Sequence, residues 1–152
     1  MENAVVVIGN LPVDCLHLAE MAWEFGWRLE KALDLVHFRA ASMECNPVVV
    51  LFDSTGLQEP WQQALQAILT TAPGALPIVC QRFSDGISWP ALAEAGAFHS
   101  LRLPFDPREV HQSLGFAWSV QCARLKNTAL LPRPASADRS VPIGARAIGN
   151  VA

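Results

Sequence analysis

Short apolar runs that end at turn-forming residues recur along most of the chain. The most complete covers residues 47–53, where an unbroken apolar run leads into the carboxylate of Asp53 and then into Ser54, Thr55 and Gly56. A wholly apolar run of this length predicts a strand that is buried on both faces, as strands of parallel sheets are. Four more segments predict strands: residues 4–8, 27–32, 77–80 and 98–102.

Between the predicted strands, apolar residues recur at the three- or four-residue spacing of amphipathic helices. Five helices are predicted in this way: after an N-cap at Asp14, within residues 34–45, from a first-turn proline at Pro60, after an N-cap at Ser88, and from Asp106 to about Leu125. Gly96 is placed to end the fourth helix. Strands and helices that alternate in this order predict a doubly wound α/β domain around a parallel sheet.

The regular pattern ends near residue 125, so we expect one domain at residues 1–125 and a C-terminal segment at residues 126–152. That segment contains prolines, small residues and isolated arginines without a hydrophobic period, which predicts a mobile or extended tail. Its net charge is about +3, and the preceding residues therefore carry about −6. An acidic domain argues against general nucleic-acid binding.

The composition is that of a globular protein with a large core, since 51% of the 152 residues are apolar and 16% are charged. The fully apolar runs are about five residues long, whereas a membrane-spanning helix needs roughly 18. The N-terminus lacks the basic start of a secretory signal, so we expect a cytoplasmic protein without a membrane span. The four scattered cysteines predict reduced thiols that are buried or half-buried.

No set of residues has the spacing of a metal site. The four histidines are isolated from one another and from the cysteines, and we expect them at the surface or on helix faces. One alternative is open, because Asp14, Asp53 and Asp85 could approach one another at the sheet edge and bind a cation. Asp14 is already explained as a helix cap, so neither a metal site nor a resident cofactor is expected.

Three segments together are similar to the receiver domain of bacterial response regulators. They are the strand that ends at Asp53, the turn Ala95-Gly96-Ala97, and the segment Leu-Pro-Phe-Asp-Pro at residues 103–107, where receivers read Lys-Pro-Phe before the last helix. The resemblance covers about residues 4–125. It implies a flavodoxin-like (βα)5 three-layer sandwich whose five parallel strands have the order 2-1-3-4-5. It also implies that Asp53 occupies the phosphoryl-acceptor position, and a cis bond at residues 103–104 would agree with it.

Only the acceptor position of the family's site carries over to this chain. Receivers hold Mg²⁺ with two acidic residues after the first strand, where this chain has Gly9 and Asn10. They bind the phosphoryl oxygens with a Ser or Thr after the fourth strand and have a Lys before the proline of the fifth; these positions are Arg82 and Leu103 here. The aromatic switch residue of the fifth strand aligns with Ser100.

These replacements bear on phosphoryl transfer, because moving a phosphoryl group onto a carboxylate brings two anions together. A metal clamp contributes several kcal/mol and one preorganised donor roughly 3 kcal/mol, so their combined loss removes on the order of 5–10 kcal/mol of transition-state stabilisation. One arginine replaces part of that charge but not the metal geometry. Efficient phosphorylation is therefore not expected, and neither is enzymatic activity.

Two residues at the predicted sheet edge each allow two interpretations. Asp53 is a phosphoryl acceptor, or it is an ordinary strand-end residue that caps the next turn through Ser54 or Thr55, which is the expected role. Arg82 could form a standing ion pair with Asp53, because side chains at the ends of neighbouring strands about 4.8 Å apart can meet. The ordinary expectation for Arg82 is that it lies in solvent.

The last predicted helix is apolar on more than one face. Val110, Leu114, Ala117 and Leu125 form one stripe, whereas Phe116 and Val120 extend apolar surface to a neighbouring face. The receiver resemblance implies a partner or dimer surface built from the fourth helix, the fifth strand and the fifth helix. Phe116 and Val120 are therefore candidates for a protein-binding surface, unless the C-terminal segment folds back over them.

The sequence thus indicates a degenerate receiver-like module of two-component or phosphorelay signalling that acts through protein contacts. Its expected partners are other signalling proteins, including the histidine kinase type, or a second copy bound through the last helix. One alternative is a phosphorylatable receiver that uses Asp53 with Mg²⁺. Another is a flavodoxin-like domain that binds a nucleotide or other small ligand, although the sequence Gly-Asn-Leu-Pro at residues 9–12 forms a poor phosphate loop.

Overall fold

A computed structural model describes residues 1–130, except for the side chains at position 15 and at positions 128–130. Within these residues, five strands form one sheet: β1 (Asn3–Ile8), β2 (Arg28–Ala32), β3 (Asn46–Asp53), β4 (Leu76–Arg82) and β5 (His99–Leu103). Along the same stretch, five α-helices alternate with them: α1 (Leu18–Glu24), α2 (Leu35–Ala41), α3 (Trp61–Thr71), α4 (Trp89–Ala95) and α5 (Pro107–Leu130). Short 3-10 helices precede α1 and α4, at Asp14–Leu16 and Phe83–Asp85.

The strands are parallel and lie in the order β2-β1-β3-β4-β5, which confirms the predicted topology. β3 lies at the centre because it is apolar on both faces: Leu51 packs in one core cluster and Phe52 in the other. The first cluster includes Leu18 of α1 and Leu114 of α5, and the second includes Leu65 of α3. The sheet is thus the middle layer of a flavodoxin-like three-layer α/β sandwich.

Helix α4 begins and ends, and helix α5 begins, as the turn residues predict. Gly96 follows α4 in the left-handed region, with a φ of 106°. The Ser88 hydroxyl accepts a hydrogen bond from the Ala91 N–H at 3.4 Å and caps the start of α4. The Asp106 carboxylate accepts a hydrogen bond from the Arg108 N–H at 3.0 Å. Asp106 therefore caps α5, as its position immediately before Pro107 predicts.

The prediction that Asp14 caps the first helix is wrong. Asp14 lies in the 3-10 helix, and α1 begins only at Leu18, after His17 in the left-handed region with a φ of 54°. The Asp14 carboxylate instead lies 2.7 Å from Lys31 Nζ on the edge strand β2. Pro60 likewise lies one residue before α3 rather than in its first turn. In both places the helix begins later than its predicted start.

Helix α5 is described as far as Leu130, the last described residue, so it extends beyond the predicted end at Leu125. Between Gly115 and the end of the described residues the chain has neither proline nor glycine, so no strong helix breaker stands near residue 125. The predicted place of Leu125 in the apolar stripe is wrong, since its side chain is 64% exposed. Residues 1–120 form one compact unit; the second unit, residues 121–152, is described only over its helical part. The predicted mobile tail therefore does not include residues 126–130, and the rest of it lies outside the described residues. Among the described helices, none combines the length and hydropathy of a bilayer-spanning segment.

The described cysteines are free thiols, and two of the three are buried as predicted. Cys45 and Cys80 are buried, whereas Cys122 is exposed. Burial, with a smaller contribution from the Asp53 charge, raises the pKa of the Cys80 thiol well above its usual value. Cys80 therefore stays neutral and acts as an apolar core residue on β4, beside Asp53 at the end of β3.

Candidate functional site

Asp53 and Arg82 are the last residues of the neighbouring strands β3 and β4, so both lie at the carboxyl edge of the sheet. Asp53 is in register with Cys80, which places Arg82 two residues further along β4. Because β4 extends past the end of β3, the long Arg82 side chain can reach back to the shorter Asp53 side chain. Only 9% of the Asp53 side chain is exposed.

The two side chains form a bidentate ion pair. Arg82 Nη2 lies 3.0 Å from Asp53 Oδ2, and Arg82 Nη1 lies 3.1 Å from Asp53 Oδ1. A planar guanidinium that matches both carboxylate oxygens is the strong form of this contact. The hydrogen bond to Asp53, together with the charge of that carboxylate, raises the pKa of Arg82 above its usual value. The ion-pair interpretation of Arg82 is confirmed, although half of its side chain also meets solvent.

Asp53 also caps the turn that follows β3. Its Oδ1 accepts a hydrogen bond from the Thr55 N–H at 3.1 Å, which is the contact of an Asx turn. The Thr55 hydroxyl lies 3.4 Å from the same oxygen and 3.2 Å from Arg82 Nη1. The turn-capping role expected for Asp53 is therefore present together with the ion pair, and each of its carboxylate oxygens has a donor.

Asp85 is a second carboxylate at this site, and the sequence pattern suggested it only as a candidate cation ligand. Its Oδ2 accepts hydrogen bonds from the Arg82 N–H at 2.8 Å and from the Ser54 hydroxyl at 3.0 Å. Arg82 Nη1 lies 3.9 Å from the same oxygen. Asp85 thus links the ends of β3 and β4 and holds the Arg82 backbone in place. Its position three residues after Arg82 is the spacing of a capping contact, a signal that could have revealed this role.

The structure does not bring the three aspartates together. Asp14 pairs with Lys31, away from Asp53 and Asp85. Between Asp53 and Asp85, the position that a cation would take is filled by the Arg82 guanidinium. In the part of the chain that the structure describes, no group of three His, Cys, Asp or Glu residues could hold a metal ion. A three-aspartate cation site is therefore excluded for these residues.

The other positions aligned with the receiver site have backbone or core roles. Gly9 adopts a φ of 86°, and its N–H donates to the Ala32 carbonyl at 2.8 Å. Asn10 is exposed. Leu103 is buried in the core cluster that includes α1 and α5, and its bond to Pro104 is cis, in agreement with the receiver resemblance.

Gly56 belongs to the site through its closeness to Asp53, which sequence reasoning missed. A Cβ atom on Gly56 would lie 2.8 Å from the Cβ and 3.2 Å from the Oδ2 of Asp53. Since real Cβ atoms do not approach so closely, a glycine is needed for the turn to pack against this side chain. The Gly56 N–H also donates to the Asp53 carbonyl at 3.2 Å.

Gly56→Ala is expected to lower the free energy of unfolding by about 1 kcal/mol, because the added methyl group displaces the Asp53 side chain or its turn. Urea unfolding followed by circular dichroism measures this change. Gly74→Ala is the matched control, since a Cβ at that position meets no atom within 4 Å. A Gly56→Ala variant as stable as Gly74→Ala would show that the turn relaxes without cost, which contradicts the prediction.

Helix α5 carries the surface predicted for partner binding. Phe116 is 64% exposed, and its ring meets that of Phe98 edge-on, with the centroids 6.2 Å apart. Val120 is half-buried against the core and contributes less to this surface. Trp118 is also exposed, but it lies about 200° around the helix from Phe116 and its ring contacts Phe25, so it belongs to another face of α5. The exposure of Phe116 agrees with a docking surface. The alternative, in which the C-terminal segment covers it, falls outside the described residues.

No family model and no curated protein matches this chain. Solved structures do match it. The signal receiver domain of an HD domain-containing protein from Pseudomonas fluorescens Pf-5 is 16% identical, with a TM-score of 0.63 over 82% of this chain and 93% of that chain. A CheY-like response regulator receiver domain protein from Methanospirillum hungatei JF-1 is 16% identical, with a TM-score of 0.61 over 82% of this chain and 99% of that chain.

A larger protein contains the same fold as one part. NtrX from Brucella abortus, in a complex with ADP, is 16% identical, with a TM-score of 0.70 over 88% of this chain and 30% of that chain. At these identities the similarity concerns the fold. The chain therefore has the receiver fold, as the resemblance implied.

Proposed function

We propose that the protein is a receiver-like signalling module that works through protein contacts rather than through phosphorylation of Asp53. The observation that carries this proposal is the bidentate Arg82–Asp53 ion pair. A guanidinium occupies both oxygens of the carboxylate that a receiver would phosphorylate. On this proposal the protein is not an enzyme and needs neither Mg²⁺ nor another cofactor.

The chemistry of phosphoryl transfer supports a site of low reactivity. An oxygen of Asp53 can attack phosphorus only after Arg82 has given up a charge-assisted hydrogen bond. Gly9 and Asn10 supply no carboxylate for the metal that would neutralise the incoming group. The Arg82 charge offsets part of this loss, but it does not reproduce the several kcal/mol that a metal clamp contributes. The ion pair then serves to hold the ends of β3 and β4 in one arrangement.

The partner in this proposal is another signalling protein in the cytoplasm, either of the histidine kinase type or a second copy of this chain. Support comes from α5, where Phe116 leaves aromatic surface exposed beside Phe98. Exposed aromatic side chains are the usual anchors of protein interfaces, and a monomer gains no stability from leaving them in water.

Incubation of the whole chain with acetyl phosphate and Mg²⁺, followed by intact-mass measurement, tests the proposal. We expect no species heavier by about 80 Da, the mass of one phosphoryl group. A triple variant with Asn10→Asp, Arg82→Ser and Leu103→Lys regains an acidic ligand, the hydroxyl and the lysine of receivers, and is expected to acquire this species. Adding Asp53→Ala to the triple variant should remove it again.

Phosphorylation of the wild-type chain would overturn the proposal. A species about 80 Da heavier that disappears in the single variant Asp53→Ala would establish the phosphorylatable alternative. A receiver domain with an intact acidic pair, treated in the same way, serves as the positive control for the phosphodonor.

A further inference from the structure

We infer that a cavity between the β4–α4 loop and strand β5 binds a small ligand that carries one negative charge on a planar, apolar group. The cavity has a volume of about 500 Å³, which lies within the range of about 300–1,000 Å³ for small-molecule sites. The residues that define its chemistry are Gln81, Phe83, Ile87, Ser100, Arg102 and Glu109. This site is separate from the proposed function and does not depend on whether Asp53 is phosphorylated.

Hydrogen bonds within the domain hold the walls of the cavity. The Gln81 side chain pairs with the backbone of Ile87: its Nε2 donates to the carbonyl and its Oε1 accepts from the N–H, both at 3.0 Å. The same Nε2 lies 3.3 Å from the Ser100 hydroxyl. These bonds fasten the β4–α4 loop to the sheet, so a ligand meets a formed site and spends little free energy on ordering it.

Arg102 supplies a positive charge that is within ion-pair distance of no described carboxylate. Its guanidinium lies 5.1 Å from the centre of the Phe83 ring, and among the described residues it takes part in no ion pair. Arg82 also lines the cavity, but it is paired with Asp53 and lies near Asp85. The cation available to a ligand is therefore Arg102, and its contact with the aromatic face keeps it in place.

Phe83 and Ser100 define the rest of the ligand. The Phe83 side chain is largely exposed, so it offers an apolar face on which a planar group can stack. The Ser100 hydroxyl accepts a hydrogen bond from Gln81 and keeps its own O–H to donate to a ligand oxygen. Because serine is small, it also leaves room that a larger side chain on β5 would fill.

Glu109 limits the charge that the cavity accepts. It lines the same cavity from the first turn of α5, and its carboxylate repels an anion. With one available cation and one carboxylate, the cavity suits a single negative charge at Arg102 better than the several charges of a nucleoside triphosphate. An aromatic or heteroaromatic carboxylate combines the required plane and charge.

Titration of the isotope-labelled full chain with benzoate, followed by amide NMR shifts, tests the inference. We expect saturable shifts at residues 81–87 and 100–102, with a Kd of about 1 mM for so small a probe. Benzamide has the same plane without the charge and should bind about tenfold more weakly, since it forms no charge-assisted hydrogen bond with Arg102.

Two variants test separately the charge of Arg102 and the open volume of the cavity. Arg102→Gln should weaken benzoate binding about tenfold and leave benzamide binding unchanged. Ser100→Phe should abolish the binding of both probes by filling the cavity, and amide shifts far from the cavity report whether it still folds. Arg108→Gln is the matched control, because Arg108 is an exposed arginine of the same domain outside the cavity lining.

Any one of three results would overturn the inference. Benzoate could cause no saturable amide shifts, benzamide could bind as tightly as benzoate, or the Arg102→Gln variant could bind benzoate with unchanged affinity. The Arg102→Gln result stands even when Ser100→Phe does not fold. None of these results alters the outcome of the phosphodonor experiment, so the two proposals succeed or fail separately.

Discussion

Replacing Arg82 by methionine is expected to destabilise the protein more than replacing Asp53 by asparagine. Methionine removes the cation and leaves a carboxylate that is 9% exposed without its ion-pair partner. A buried charge without a partner costs more than a lost hydrogen bond. Asparagine keeps an oxygen for the Thr55 N–H, and the half-exposed Arg82 side chain can then turn into water. We expect a fall in Tm of roughly 5 °C for Arg82→Met and of about 2 °C or less for Asp53→Asn.

Calorimetry of both variants and of the double variant measures this asymmetry. The double variant has no charge at either position, so its loss should be smaller than the sum of the two single losses. Arg39→Met is the matched control, because Arg39 is exposed and forms no ion pair within the described residues, and it should shift Tm by about 2 °C or less. Equal losses in the two single variants would show that Asp53 does not need its cation.

Leu51→Ala and Phe52→Ala are each expected to lower the free energy of unfolding by about 3 kcal/mol, although the two residues are adjacent. Both side chains are fully buried, Leu51 with α1 and α5 and Phe52 with α2, α3 and α4. Adjacent residues of a strand point to opposite faces of the sheet. A sheet covered on one face only would lose stability at one of these positions and not at the other. Urea unfolding measures both losses when the two variants and the wild-type chain share one m-value, the slope of unfolding free energy against urea concentration.

Lys31→Ala on the edge strand β2 is the control for this pair. Lys31 is exposed, and its contact with Asp14 joins two exposed side chains, so its loss should stay within about 0.5 kcal/mol. A cost as small as that of Lys31→Ala at either Leu51 or Phe52 would contradict a sheet that is covered on both faces.

Most of the fold could be predicted because its signals are local and repeated. The run at residues 47–53 is apolar at successive positions, and only a strand covered on both sides accounts for that pattern. Gly96 and the Asp106-Pro107 pair mark helix ends through backbone preferences that act within a few residues. The strand order is different, because it came from the receiver resemblance and not from periodicity.

Asp14 shows where a local signal misleads. An aspartate ahead of an apolar stripe is a good helix cap, but a 3-10 turn and a left-handed His17 separate it from α1. Its partner is Lys31, a residue 17 positions away on another element. The end of α5 was predicted too early for another reason: the apolar period fades near Leu125, but no proline or glycine stands there to end the helix.

The amino-acid sequence by itself determined that a carboxylate ends the most apolar run of the chain. The replacement of the acidic pair, hydroxyl and lysine of a receiver site is what the resemblance implies. Only the tertiary structure decided that Arg82 meets Asp53, 29 positions away. An arginine at a strand end gains about as much from water as from an exposed carboxylate. The outcome therefore depended on the register of β3 and β4, on the burial of Asp53 and on the hold of Asp85 on the Arg82 backbone. These are contacts between distant residues, which residue identity and short-range pattern do not specify.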